Sequence, residues 1–96
     1  MRNRYLVTYD VANEKRLRRV FKKMKTFGLH LQFSVFECEL SARELALMKT
    51  AVDGMIHHFL DQVLIVDLGP ADGRGSECIE SLGFPYQPRE RKAVVV

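Results

Sequence analysis

Within the first forty residues the spacing of apolar side chains changes period twice, and few folds accommodate that. Tyr5-Leu6-Val7-Thr8-Tyr9 is β-branched and aromatic and reads as a strand buried on both faces. Leu17, Val20, Phe21, Met24 and Phe27 then recur at helical spacing and form one continuous apolar stripe. From Leu29 to Leu40 the period returns to two. Leu31, Phe33, Val35 and Glu37 share one face of that segment, and Gln32, Ser34, Phe36 and Cys38 share the other. A chain that moves from strand to amphipathic helix to strand this quickly must lay the helix across a sheet.

Local signals set the boundaries. Asn13 is placed to cap the first helix, and Gly28 supplies its stop. Ser41-Ala42-Arg43-Glu44 has the spacing of a capping box, and the helix it opens carries Leu45, Met48, Val52 and Met55 and runs to about His58. Gln62–Asp67 is the next short apolar strand. A glycine-rich loop follows from Gly69 to Gly75, then a short mixed stretch Glu77–Leu82 and the breaker run Gly83–Pro88. Ala93–Val96 reads as a last strand with no neighbour in its own subunit. This order predicts an α+β fold, a ferredoxin-like sandwich with helices on one face of the sheet. At 96 residues the whole chain, 1–96, forms one domain.

Composition narrows the function classes. No apolar run approaches the roughly 18 residues of a membrane span, and Asp10 interrupts the only apolar stretch that could begin a signal peptide. Cys38 and Cys78 form neither a CxxC motif nor a disulfide framework, so a cytoplasmic location is expected. The net charge of +3 conceals an asymmetry. Residues 1–25 carry nine cationic and two acidic side chains, whereas residues 26–88 carry three and nine. A basic block of this kind is either a solvated helix face or the footprint of a polyanion site.

Asp10 is the strongest candidate for chemistry. A carboxylate ending a buried strand is either a turn-capping group or a charge that needs a partner such as a metal ion. One carboxylate is too few for Mg²⁺, which takes several oxygen ligands, but a two-fold dimer would bring the same residue in twice. Thr8, Tyr9 and Ser34 supply hydroxyls without a neighbouring His or second acid, so a hydrolase triad has no support. His57 and His58, adjacent on the expected helix, point about 100° apart and make a poor ligand pair. The Gly69–Gly75 loop lacks the phosphate-binding GxxxxGK[ST] pattern. Phe33-Ser34-Val35-Phe36 has the aromatic spacing of an RNA-recognition strand but not its basic-glycine start.

Taken in order, Tyr5–Val11, Lys15–Lys23, Gly28 and Gln32-Phe33-Ser34-Val35-Phe36-Glu37-Cys38 strongly resemble the small CRISPR-associated endonuclease family, the second of the two core spacer-acquisition proteins. The resemblance implies a βαββαβ ferredoxin-like fold in which Leu29–Leu40 supplies two strands. It also implies a homodimer whose residues 84–96 reach the partner subunit. It implies an Mg²⁺- or Mn²⁺-dependent endonuclease on RNA or DNA, with Asp10 as the metal ligand shared between subunits. Arg16, Arg18, Arg19, Lys22 and Lys23 would hold phosphates, and Tyr9 and Ser34 would orient substrate or water. Asn13 and Glu14 depart from the hydroxyl or glycine residues many members carry, which predicts a short loop beside Asp10. The competing expectations are a non-catalytic dimeric scaffold that grips duplex DNA and bridges the CRISPR integrase, and a small-ligand regulatory module.

Overall fold

Asn13 and Ser41 start the two helices as their spacing requires. The Asn13 side chain accepts the Arg16 amide at 3.0 Å. Ser41 and Glu44 exchange both capping-box bonds, with the Glu44 amide donating to Ser41 Oγ and the Ser41 amide to Glu44 Oε1. A computed structural model of the chain describes residues 1–86. Its elements run β1 (Asn3–Asp10), α1 (Glu14–Met24), β2 (Leu29–Gln32), β3 (Val35–Leu40), α2 (Ala42–Asp53) and β4 (Gln62–Pro70), with a 3₁₀ turn at Arg74–Ser76. The strands form one antiparallel sheet in the order β2-β3-β1-β4. This is the ferredoxin-like βαββαβ topology. Tyr5, Val7, Tyr9, Phe36, Cys38 and Leu40 from one sheet face pack against Val20 and Met24 of α1 and Met48 and Val52 of α2.

Four sequence expectations change. Leu29–Leu40 is a hairpin, not one strand, because Phe33 and Ser34 form a turn. Neither residue is a Gly, Asn or Asp, so the turn left no signal in the sequence. The second helix ends at Asp53, with Gly54 as its C-cap, and His57 and His58 lie beyond it in the connection to β4. The last strand extends to Pro70, taking the start of the glycine-rich stretch into the sheet. Its extension includes a bulge at Leu68, since Tyr5 pairs with Asp67 and Arg4 with Gly69. Finally, β1 is buried fully on one face only: Leu6 and Thr8, on the other face, are half-buried. The expected strand Ala93–Val96 lies outside the described residues.

That second sheet face divides into two parts. Toward the start of β1, Arg4 is buried and bridges Glu37 and Glu39 across β3, at 2.9 and 3.1 Å. Tyr86, returning from the chain beyond β4, donates its hydroxyl to Glu37, and burial with that carboxylate pushes the phenol up to about 12. Toward the end of β1 the face is open and apolar. Leu6 and Thr8 lie there beside β4 residues Leu64 and Val66, which are 52% and 46% exposed.

Gly28 matters for proximity rather than for backbone angle. A Cβ at this position would stand 2.5 Å from both Cys38 Sγ and the Glu37 carbonyl oxygen. Gly28→Ala is therefore expected to force β3 away from the end of α1, costing ~1–3 kcal/mol, with a fall in Tm of roughly 5–15 °C by thermal denaturation. An unchanged Tm would contradict this packing.

Candidate functional site

Asp10 is the last residue of β1, where pairing with Gln62 ends the sheet. Strand alternation sends its side chain to the open apolar face, in line with Leu6 and Thr8. It is exposed, and among the described residues its carboxylate has no hydrogen-bond or ion-pair partner. Tyr9, one residue earlier, leaves on the opposite face and is buried in the core. The Tyr9 amide donates to the Ser34 carbonyl at 3.1 Å, which ties the β2–β3 turn to the end of β1. Burial raises the phenol of Tyr9 above its ordinary value, and the nearby Ser34 hydroxyl opposes the shift. Tyr9 and Ser34 are thus brought together, but Tyr9 and Asp10 point apart within one chain.

The loop after Asp10 is short, Val11–Asn13, and one carboxylate fixes it. Asp61, whose side chain is fully buried, accepts four donors. Its Oδ1 takes the Ala12 amide at 2.9 Å and Arg16 Nη2 at 3.1 Å; its Oδ2 takes Arg16 Nε and the His57 amide, each at 2.8 Å. The bidentate Arg16 contact, followed by the two backbone amides, holds the Asp61 carboxyl far below the usual carboxylate range against the opposing effect of burial. Asp61 carries the positioning of this end of the molecule and was not among the sequence candidates. Its only sequence signal is an acid standing immediately before a strand, at a separation of 45 residues from its Arg16 partner.

Arg16 therefore has a structural engagement in addition to its place in the basic block. Arg18, Arg19 and Lys22 project into solvent, Lys23 is half-buried, and among the described residues none of these four is in an ion pair. Their helix starts just after the Val11–Asn13 loop and packs on the core face of the sheet, opposite to the face toward which Asp10 points. Among the described residues no group of three or more His, Cys, Asp or Glu side chains is placed to hold a metal ion. His57 and His58 are engaged locally, the first accepting the Phe59 amide and the second pairing with Asp53. A divalent cation fits Asp10 as a hard, free oxygen donor, but among the described residues no second acid joins it in a metal-holding group. Among the described residues no helix is long and apolar enough to cross a membrane.

Fold and site together define a ferredoxin-like domain with a free acid at the end of its first strand and a cationic helix next in the chain. Residues 2–73 match the family described as CRISPR associated protein Cas2, and the chain belongs to that family. It is 42% identical over 96 residues to the CRISPR-associated endoribonuclease Cas2 of Geobacter sulfurreducens, covering all of both chains. It is 40% identical to CRISPR-associated endoribonuclease Cas2 1 of Rhodospirillum rubrum, covering 96% of this chain and 89% of that one. Among solved structures, Streptococcus pyogenes Cas2 superposes with a TM-score of 0.72 at 34% identity, over 83% of this chain and 99% of the other. A hypothetical protein of Thermus thermophilus gives 0.80 at 25% identity, over 93% and 100%. The expected family and the two-strand reading of Leu29–Leu40 both hold.

Proposed function

We propose that this protein is a metal-dependent endonuclease that hydrolyses phosphodiester bonds of RNA or DNA, acting as a homodimer in CRISPR spacer acquisition and antiviral defence. The observation that carries the reading is the free Asp10 carboxylate at the rim of an uncovered apolar sheet face. Relatives named as endoribonucleases support the activity.

Packing the open face, with Leu64 and Val66, against its copy about a two-fold axis buries apolar surface that the described residues leave exposed. The same operation brings Asp10 toward Asp10 of the partner subunit and makes good the missing second acid. These two carboxylates would hold Mg²⁺ or Mn²⁺. When bound, the cation neutralises phosphate charge and makes an attacking water more acidic. The chain's own residues do the rest. Arg18, Arg19, Lys22 and Lys23 bind the phosphate backbone, with Arg suited to it by its planar donor fork. Arg16, through Asp61, holds the start of α1 at a fixed place beside Asp10. Tyr9 and Ser34 fix the height of the strand end relative to the β2–β3 turn. The dimer would also present paired surfaces to the CRISPR integrase.

The test is cleavage of labelled single-stranded RNA and duplex DNA by the full chain in Mg²⁺, Mn²⁺ or EDTA. Cutting is expected with either cation and none in EDTA. Nucleic acid bound but left intact under all three conditions would replace this reading with the non-catalytic scaffold. Replacing Arg18, Arg19 and Lys22 together by Ala is expected to flatten the salt dependence of binding, lowering the log–log slope by about 2 per protomer. An unaltered slope would remove α1 from the interface.

A further inference from the structure

After β4 the chain turns back over the sheet instead of leaving it. Gly75 comes so close that a Cβ there would stand 2.6 Å from the Gly69 carbonyl oxygen, 2.7 Å from that of Pro70 and 3.0 Å from Arg4 Cβ. The Ala71 amide donates to the Arg2 carbonyl at 3.0 Å. These contacts fix the near end of the returning segment over the start of β1. From Glu80 to Pro85 the residues are exposed, the apolar Leu82 and Phe84 among them. Tyr86 holds the far end. Its amide donates to Ser81 Oγ at 2.8 Å, and its hydroxyl donates to Glu37.

Strand register locates that second bond. Glu37 of β3 stands opposite Leu6, and Leu6 stands opposite Val66 of β4. Opposed residues share a face, so Tyr86 lies at the border of the open apolar patch. Leu6 is four residues before Asp10, which puts the Tyr86 contact roughly 13 Å from the acid along the strand. The carboxylate beneath the phenol is held in turn: Glu37 Oε1 takes Arg4 Nη1 at 2.9 Å, and both side chains are buried. A hydroxyl bonded to a fixed, charged acceptor is a strong and directional tie. The exposed run from Glu80 to Pro85 buries little, so its place depends on the group at its end.

We propose that Tyr86 is a latch: by bonding Glu37 it fixes, in the free protomer, the point at which the chain leaves the border of the open face, and so pre-organises association with a second copy across that face. This rests on the reading above, in which Asp10 of the partner subunit completes the site, and it makes Tyr86 a positioning residue for that shared site. Residues 87–96 lie outside the described residues, and the latch concerns only where they start. A segment already held in place costs less to order when two copies meet.

The test is Tyr86→Phe, which keeps the ring and removes the hydroxyl. Sedimentation over a range of protein concentrations in EDTA is expected to place the monomer–dimer midpoint about tenfold higher than in the wild type. Hydrogen exchange of 81–86 should quicken, with β1 and β3 unchanged. Cleavage in Mg²⁺ should move along the concentration axis with the dimer and reach the wild-type rate once both proteins are dimeric. A hydroxyl that only stabilises each protomer would lower Tm and leave the midpoint alone, and that result would overturn the latch. A rate that stays low in the fully dimeric variant would also overturn it, since Tyr86 would then act on the site itself. A wild type that remains monomeric at every concentration would bring down the shared-site reading and the latch with it. Dimers of wild type that bind but do not cut would bring down the nuclease reading alone, and the midpoint would still decide the latch.

Discussion

Asp10→Asn is expected to reduce metal-dependent strand cleavage by about a thousandfold or more while leaving fold and nucleic-acid affinity in place. The expectation follows from the isolation of this side chain. Among the described residues the Asp10 side chain makes no hydrogen bond or ion pair, and it is exposed, so an isosteric amide leaves nothing behind it unsatisfied. Exposed positions of this kind usually tolerate exchange within about 0.5 kcal/mol. The lost charge, in contrast, is the whole of what one chain offers a hard cation at that place. The measurement pairs single-turnover cleavage in Mg²⁺ with binding in EDTA and a thermal melt. Full activity in the variant would remove Asp10 from the chemistry. Joint loss of cleavage, binding and Tm would show that Asp10 supports the fold instead.

Asp61→Asn is expected to do the opposite, lowering Tm by about 10 °C or more. Four donors converge on the two oxygens of Asp61, so an amide placed either way turns its NH₂ toward an N–H group. The change also strips the countercharge from Arg16. Because the carboxyl is held below its ordinary value by folding, its contribution to stability is fully present above about pH 4 and is lost as pH falls through the lowered folded value. The gap in Tm between wild type and Asp61→Asn should therefore be constant near neutrality and narrow on acidification below about pH 4. A gap that widens in acid, or none at neutral pH, would contradict the geometry. Arg16→Ala should be milder, since the two backbone amides from Ala12 and His57 still satisfy the carboxylate.

These two residues mark what the sequence makes legible. Asp10 stands out because strand propensity in Tyr5–Tyr9 stops at a charge, a local pattern. The stripe Leu17, Val20, Phe21 and Met24 is legible for the same reason, with Val20 and Met24 buried in the core and the other two packed against it; the helix ends at Met24 with Lys25 as its cap, short of Gly28, and Phe27 reaches the core from beyond it. Asp61 is not legible, because its partners Arg16 and Ala12 lie 45 and 49 residues away and only tertiary folding brings them together. The turn at Phe33 and Ser34 hid behind an unbroken apolar alternation, and resemblance rather than residue chemistry divided that segment in two. Arg4 was counted as part of a basic block, yet it is buried between Glu37 and Glu39, a pairing across β1 and β3 that needs the strand register to be known.

The bulge at Leu68 determines how the last strand tolerates insertion and deletion. Side chains alternate along β4, so the open face depends on an even spacing between Leu64 and Val66. Leu68 is the unpaired extra residue between the Tyr5–Asp67 and Arg4–Gly69 pairs. Deleting it would straighten the strand and leave both apolar side chains where they are. Deleting Ile65 instead would make Leu64 and Val66 neighbours and turn one of them to the wrong side. A lineage of such chains can therefore gain or lose one residue beyond Asp67 and keep the face that Asp10 borders, while the stretch before it must keep its length.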